Sequence, residues 1–429
     1  MYNISDYVIS FNESIGAIYN VPNFSLIKVA PKIAEQIKEE IKSNCISEDT
    51  LGFLKKNFKK NNEKSNYLFD FVDNKKISKL QFMVTNSCNL NCKYCYANGG
   101  TYNQPVGTMS TKTADDIIDK LALDIDEINS VQFFGGEPLQ AYKVIMHICD
   151  RIRQKFKKVN EFTMVSNFTM LPIEFIDYIK KYNISITVSL DGPEEINDRL
   201  RIAKNKNFST FKQVKNNIDL LRAYGGNINA IECTYTDEHK KLGYTKEWLR
   251  NFFKQQFNVE MIIIADEGKK DTLTKLDLKD IIDDFKNNKN ISVEKIGVLI
   301  KLLKKSNISR YCNAGFNAIT FFQNGDMYPC HMFVLNNDYY MGNVSDDNIF
   351  FSSKFKSVKN KLDNINKCDD CNARNICSKC PGNLSLNSSK ANDISICETY
   401  RKFMEDIILE IVNFLEHSNL KDLLPLNKF

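Results

Sequence analysis

The chain has 429 residues, enough for two or three domains. Apolar residues make up 43% and charged residues 26%, as in an ordinary globular protein, and 58 basic against 53 acidic side chains leave a net charge of only +5. The lysines are scattered among asparagines rather than gathered into a patch, which argues against a nucleic-acid partner. No basic segment leads into an apolar one at the start, and no apolar window reaches the roughly eighteen residues of a membrane span. The expectation is a cytoplasmic chain without membrane contact.

In chain order, "YVISFNESIGAIYNV" reads as two strands around a turn. "APKIAEQIKEEIKSN" is helical after Pro31, and "SEDTLGFLKKNFKK" is a second helix with a Ser/Asp start signal. From about residue 80 short apolar runs alternate with helical stretches. "KLQFMV" precedes a helix near Thr111–Ile125, and "SVQFFGGEP" one ending near Lys155. "FTMVSN" precedes a helix from Pro172 to about Lys181, "ISITVSLDGP" one over Phe211–Ala223, and "NINAIECTYT" one from Thr245 to about Gln255. "VEMIIIAD" is the sixth run. Strands alternating with helices pair in parallel, and six units fall short of a closed eight-fold barrel. The expected fold is α/β, a partial (β/α)6 barrel, in which chemistry gathers at the carboxyl ends of the strands.

The residues at those ends are unusual. Cys88, Cys92 and Cys95 follow the first run, Gly135-Gly136-Glu137-Pro138 the second, Ser166-Asn167 the third, and Ser189, Asp191 and Gly192 the fourth. Singly each reads as turn chemistry; together, in register with a cysteine triplet, they imply one pocket. Thirteen cysteines in a cytoplasmic chain are not explained by disulfides. Cys45, Cys149 and Cys233 stand alone and read as small buried hydrophobes. The remaining ten form two groups, the triplet and Cys312, Cys330, Cys368, Cys371, Cys377, Cys380 and Cys397. Thiolates select zinc or iron–sulfur clusters. A structural zinc needs a fourth protein ligand, and the nearest histidine in sequence to the triplet is His147. A [4Fe–4S] cluster held by three cysteines keeps one iron open.

Cys88-x3-Cys92-x2-Cys95, with Tyr94 before the third cysteine and Gly135-Gly136-Glu137-Pro138 at the next strand end, resembles the signature of the radical S-adenosylmethionine (radical SAM) enzymes. The resemblance implies an open iron that chelates SAM and, on reduction, a 5′-deoxyadenosyl radical that takes a hydrogen atom from substrate. It also implies that Glu137 and the Gly135–Gly136 backbone receive the SAM ammonium, that Asn167, Ser189 and Asp191 bind its ribose and methionine parts, that Arg201 meets its carboxylate, and that Tyr96 lies by the adenine. The later cysteines are similar to the SPASM extension of radical SAM peptide maturases, which holds two auxiliary clusters and gives three [4Fe–4S] clusters in all. By that resemblance Cys368, Cys371, Cys377 and Cys397 close one cluster, and Cys312, Cys330 and Cys380 hold the other with only three thiolates. The spacing departs from the family at Cys380, which follows Cys377 after two residues instead of the usual ~three.

Anaerobic sulfatase-maturing relatives place an extra cysteine after the first of these and an Asp base after Tyr-Pro-Cys. Here "CNAGFNA" offers no such cysteine, and Tyr328-Pro329-Cys330 is followed by His331. This looks more like maturases that install Cys thioether crosslinks, as in sactipeptides and ranthipeptides. An open auxiliary iron would then bind a substrate thiolate. His331 is a candidate fourth ligand or base, or else an ordinary surface histidine. Residues 1–75 look like a winged-helix peptide reader that adds a leader peptide as an edge strand, with a plain cap on the barrel as the alternative. The expected domains are 1–75, a radical SAM barrel over 76–305 and a SPASM domain over 306–429. The expected partners are a cysteine-containing precursor peptide with its leader and a reductant such as flavodoxin or ferredoxin. Carbon–carbon crosslinking, epimerisation and formylglycine formation are the alternative reactions. A non-catalytic iron–sulfur electron carrier and a zinc-stabilised peptide-binding module are the rivals from other classes.

Overall fold

The structure is a computed structural model. It describes residues 6–58, 75–205, 208–267, 313–348, 350, 352–364, 371–373, 380, 382 and 394–417. The described residues fall into two compact units, one within Met1–Tyr67 and Asp363–Phe429, the other within Leu68–Lys270 and Asn313–Leu362.

In the first unit, β1 (Tyr7–Phe11), β2 (Gly16–Asn20) and β3 (Ser25–Val29) form an antiparallel sheet in that order. Two helices follow, α1 (Pro31–Lys42) and α2 (Glu48–Asn57). Pro31 at the first turn of α1 needs no hydrogen-bond partner there, and Ser47 caps α2 by accepting from the Thr50 amide. Tyr7, Ile9 and Ile18 pack with Ala34 and Ile37 of α1 and Leu54 of α2. All five residues of β2 are buried, as are four of the five in β1, so both faces of this sheet are covered. A long C-terminal helix spanning Ile394–His417 packs on all three strands, with Phe403, Met404, Ile407 and Ile408 buried, and Lys38 pairs with Glu405 at 2.6 Å. The sequence reading included no helix here. Cys45 is exposed in the turn after α1, contrary to the buried place expected for it, whereas Cys149 and Cys233 are fully buried.

The second unit is built on one nine-stranded sheet. Its parallel core is β4 (Lys76–Thr85), β5 (Glu127–Gly135), β6 (Lys158–Ser166), β7 (Ser185–Ser189), β8 (Ala230–Tyr235) and β9 (Met261–Asp266), in sequential order. The connecting helices are α3 (Thr111–Asp124), α4 (Tyr142–Lys155), α5 (Ile173–Tyr182), α6 (Glu194–Leu200), α7 (Thr210–Ala223), α8 (Asp237–Lys241) and α9 (Lys246–Phe257). Ser110, Ser209 and Thr245 cap α3, α7 and α9 by accepting from backbone amides of their first turns. The six strand–helix units expected from the sequence are all present. Beyond residue 305 the unit continues: β10 (Ala318–Phe321) pairs parallel to β4, and β11 (Asp326–Tyr328) and β12 (Gly342–Asn343) extend it antiparallel. The sheet therefore runs past the boundary expected at 305, because Ala318–Phe321 completes the hydrogen bonding of the β4 edge.

One face of this sheet is an apolar core. Leu80, Phe82, Val131, Phe133, Phe162, Met164, Ile186, Val188 and Ile231 are buried with the inner faces of the helices. The alternate positions are different. Thr320, Gln81, Gln132, Thr163 and Ser185 stand opposite one another across five neighbouring strands, a polar row in register on the other face.

Candidate active site

The cysteine loop leaves the carboxyl end of β4 and is clamped by glycines. The Gly136 and Glu137 amides donate to the carbonyls of Thr85 (2.9 Å) and Ser87 (2.8 Å), so the loop and the β5 end run side by side. A Cβ on Gly136 would meet the Ser87 oxygen at 2.2 Å. Gly100, at φ +94°, turns its bare Cα against this pair, and a Cβ there would lie 2.9 Å from that of Cys88. Asn86, fully buried, gathers the rest of the loop by donating to the carbonyls of Thr101 and Pro105 and accepting from the Gly107 amide.

Cys88, Cys92 and Cys95 are half-buried thiols on this loop. Burial, and next the Glu137 carboxylate, push the Cys88 thiol up to about 12; burial also raises Cys92, partly opposed by the Arg201 charge. Such thiols are not free nucleophiles, but a bound metal deprotonates them outright. Donors are already in place at sulfur. The Leu90 amide lies 3.4 Å from Cys88 Sγ and the Asn167 side-chain amide 3.8 Å from it. Among the described residues no group of three or more His, Cys, Asp or Glu side chains converges on a point where one ion could sit. Three thiolates that each bind a different iron of a cluster need no such convergence, so the donor set fits an iron–sulfur cluster better than a zinc ion.

Beneath the loop lie two buried carboxylates. Glu137 is fully buried, and each of its oxygens is engaged. One accepts from Ser166 Oγ (2.7 Å) and the Leu139 amide (3.0 Å), the other from the Asn167 amide (2.7 Å). It ties the ends of β5 and β6 together and caps the short turn Pro138–Ala141. Loss of hydration pushes its pKa up to about 7, against the pull of those donors. Asp191, also fully buried, accepts from Tyr94 Oη (2.5 Å) and the Thr234 amide (3.0 Å), and the Arg201 Nε stands 3.0 Å from it. That last contact is an ion pair by distance without the angle of a hydrogen bond. Burial alone would lower the Arg201 pKa, but the Asp191 charge more than offsets it, so the guanidinium stays protonated over the Tyr94 ring. His239 Nε2 donates to the Asp191 carbonyl at 2.6 Å, its Nδ1 being occupied as acceptor from the Thr236 amide.

The structure thus brings Gly135, Gly136, Glu137, Asn167, Asp191 and Arg201 around the cysteine loop. It gives Glu137 and the Asp191–Arg201 pair internal partners that the sequence reading did not foresee. Ser189 stands at the β7 end opposite Glu232 of β8, a carboxylate missed in the sequence because "AIECTY" reads as a plain strand. Tyr96 follows Cys95, with its hydroxyl 3.1 Å from that of buried Tyr102 and its ring 6.2 Å from His331. Cys330 and Cys95 both pack against the apolar cluster of Met83, Ala97, Tyr102 and Phe333. Cys371 and Cys380 are half-buried in the other unit. Cys312, Cys368 and Cys377 lie outside the described residues, as does the side chain of Cys397.

Neutral thiols waiting for a metal, N–H groups aimed at sulfur, and a loop sealed by glycines to the carboxyl end of a parallel sheet define an enzyme that works through a bound metallocluster. The sequence profile of the Radical SAM superfamily matches residues 82–238, and that of the SPASM iron–sulfur cluster-binding domain matches residues 312–381. An uncharacterized protein of Methanocaldococcus jannaschii is 34% identical over 281 residues, covering 64% of this chain and 91% of that protein. A cysteine-type anaerobic sulfatase-maturating enzyme of Clostridium novyi is 26% identical over 371 residues, covering 79% of this chain and 96% of the relative. Among solved structures, native anSMEcpe with bound AdoMet superimposes with a TM-score of 0.60 at 19% identity, over 80% of this chain and all of that one, which speaks to the fold. The chain belongs to the radical SAM superfamily, as an enzyme with a SPASM extension, and SAM and iron–sulfur clusters are its cofactors. No helix among the described residues is long and apolar enough to cross a membrane.

Proposed function

We propose that this enzyme installs Cys sulfur-to-carbon thioether crosslinks in a ribosomally made precursor peptide. When bound, the reduced cluster and SAM supply the carbon radical that removes a hydrogen atom from the substrate. The chain's own residues do the rest. The triplet cysteines hold the cluster, and the Leu90 and Asn167 donors stabilise thiolate charge on Cys88. Glu137 fixes the turn whose backbone approaches the SAM ammonium, and Asp191 holds Arg201 charged for the SAM carboxylate. Tyr96 and Ser189 are assigned to the adenine and ribose. Cys368, Cys371, Cys377 and Cys397 are assigned to one auxiliary cluster and Cys312, Cys330 and Cys380 to the other, for three clusters in all. A substrate thiolate is the fourth ligand of the incomplete one.

The observation that carries this reading is the state of His331. In the relatives' place for a carboxylate base stands an imidazole that burial, with the Lys79 charge adding to it, holds down to about 3. An uncharged group of that kind is a poor proton acceptor at neutral pH, which disfavours formylglycine chemistry and suits a reaction whose thiol is deprotonated by iron. Residues 1–75 are proposed to read the leader. Support comes from β3, which pairs only with β2 among the described residues and lies at the edge of the three-stranded sheet.

The test is anaerobic reaction with a synthetic copy of the short cysteine-bearing peptide encoded beside this gene. Forming C–S from C–H and S–H removes one H₂ per crosslink, and that cysteine then resists alkylation. A product that gains an aldehyde and loses its sulfur would establish the second reading, formylglycine formation, which the similarity to the Clostridium novyi maturating enzyme favours.

A further inference from the structure

Gln81 carries none of the expected signature, yet four polar groups meet at its amide. Its Nε2 donates to Gln132 Oε1 at 2.6 Å, and its Oε1 accepts from Thr320 Oγ1 at 2.8 Å. The same oxygen lies 3.3 Å from the His331 amide nitrogen and 3.1 Å from His331 Nδ1. A backbone N–H can only donate, so the Gln81 atom that faces it is the carbonyl oxygen, and the amide cannot be turned over. An oxygen that only accepts then requires a proton on His331 Nδ1. The neutral imidazole is therefore the Nδ1–H tautomer, with a lone pair on Nε2.

The ring is set between the two walls of the cysteine site. It stacks on Phe134 at 4.4 Å between centroids and lies 6.2 Å from Tyr96. Phe134 immediately precedes the glycine pair, and Tyr96 immediately follows Cys95. Cys330 is extended (φ −162°, ψ 172°), so its side chain and that of His331 leave the chain on opposite sides, the imidazole with the polar row of the sheet.

We infer that Gln81 is a positioning residue: backed by Gln132 and Thr320, it fixes His331 as the Nδ1–H tautomer and sets Nε2 as the hydrogen-bond acceptor for a donor group (thiol, hydroxyl or amide) on the residue being modified. This rests on the reading that a peptide is modified in this chamber. It assigns His331 to substrate, not to iron.

The cluster-loaded, oxidised protein labelled with ¹⁵N-histidine tests it. The chain has only 4 histidines, so subtracting the His331→Asn spectrum isolates the His331 ring nitrogens. The expected pair is one protonated and one unprotonated nitrogen in wild type and in Gln81→Glu, which still offers an acceptor once the Gln132 amide turns over. In Gln81→Met the pair should collapse towards averaged values. A protonated Nε2 in wild type, or an unchanged pair in Gln81→Met, overturns the tautomer assignment. Pulsed EPR of the same protein, reduced, should show no ligand-strength ¹⁵N coupling to any cluster; such a coupling, lost in His331→Asn, makes His331 an iron ligand and overturns the substrate role. With the peptide of the mass assay, the 5′-deoxyadenosine released per peptide modified should rise about ten-fold in His331→Asn but about three-fold or less in His331→Gln, whose oxygen can replace the Nε2 acceptor. Equal ratios in both variants refute the acceptor role. The spectra need no peptide, so they stand or fall apart from the thioether reading.

Discussion

Replacing Glu137 by Gln tests whether the carboxylate of the Gly-Gly-Glu-Pro turn is a structural tie or a ligand for SAM. In the wild type its oxygens take the Leu139 and Asn167 amides and Ser166 Oγ, and the side chain is fully buried. A Gln side chain has only one acceptor oxygen. Whichever way its amide turns, an NH₂ faces one of the two backbone N–H groups. Leaving a buried donor unsatisfied costs about 1–3 kcal/mol, so thermal unfolding of the cluster-loaded protein should move down by roughly 4–8 °C. The pH dependence has a definite sign. The folded pKa is raised to about 7 from an ordinary 4.5, so the folded state holds the proton more tightly than the unfolded chain. Stability from this group is complete below about pH 4.5 and is lost as pH rises through about 7, by about 3 kcal/mol in total. The Gln variant should lack that part of the slope. Unfolding midpoints measured from pH 5 to about 8 on both proteins decide the matter. A Gln variant as stable as wild type, with the same pH slope but much weaker SAM binding, would refute the tie and make the carboxylate a direct SAM contact.

Cys88→Ala, Cys92→Ala or Cys95→Ala should abolish reductive SAM cleavage while iron analysis still finds the auxiliary clusters; undiminished 5′-deoxyadenosine would remove these cysteines from the site. Gly136→Ala should fail to load the first cluster, because its Cβ would press on the Ser87 carbonyl at 2.2 Å; absorbance and iron content after anaerobic reconstitution report this. Asp191→Asn leaves the Arg201 charge buried without its counter-ion, a loss of about 3–5 kcal/mol that should show as a lower denaturation midpoint. Lys28→Ala breaks only the half-exposed pair with Glu416 and should change stability by no more than about 1 kcal/mol. Deletion of residues 1–75 should expose the buried face of the C-terminal helix around Phe403 and Ile407 and cause aggregation, measurable by light scattering, so leader reading is better tested by point substitutions along β3.

The parallel core was legible because its signals are local. Each apolar run is bounded by turn residues within a few positions, and the cysteine spacing and Gly-Gly-Glu-Pro lie at consecutive strand ends. What stayed hidden depends on pairing between distant segments. Ala318–Phe321 reads as a short apolar stretch until β4 offers it an edge, and only then does the boundary at 305 dissolve. Asp191 and Arg201 look like separate ligands for one small molecule. That each partly satisfies the other, with Tyr94 between them, appears only once the loop folds onto the β7 end.

The polar row is the clearest case. In a parallel sheet covered on both faces, strands are expected to be apolar at every position. Gln81 in "KLQFMV" and Gln132 in "SVQFFGG" therefore read as isolated polar residues within hydrophobic runs. Placed opposite each other and beside Thr320, they become a continuous line of donors and acceptors on the face away from the helices. A buried amide line of that length is costly unless every member is paired, and the pairing ends at His331. The substitution that sets this chain apart from relatives with an Asp after Tyr-Pro-Cys is thus accommodated from a strand some two hundred and fifty residues earlier. A neutral imidazole with a fixed tautomer needs an acceptor at Nδ1, and β4 supplies it, so Gln81 and His331 should be exchanged as a pair when this chamber is re-engineered.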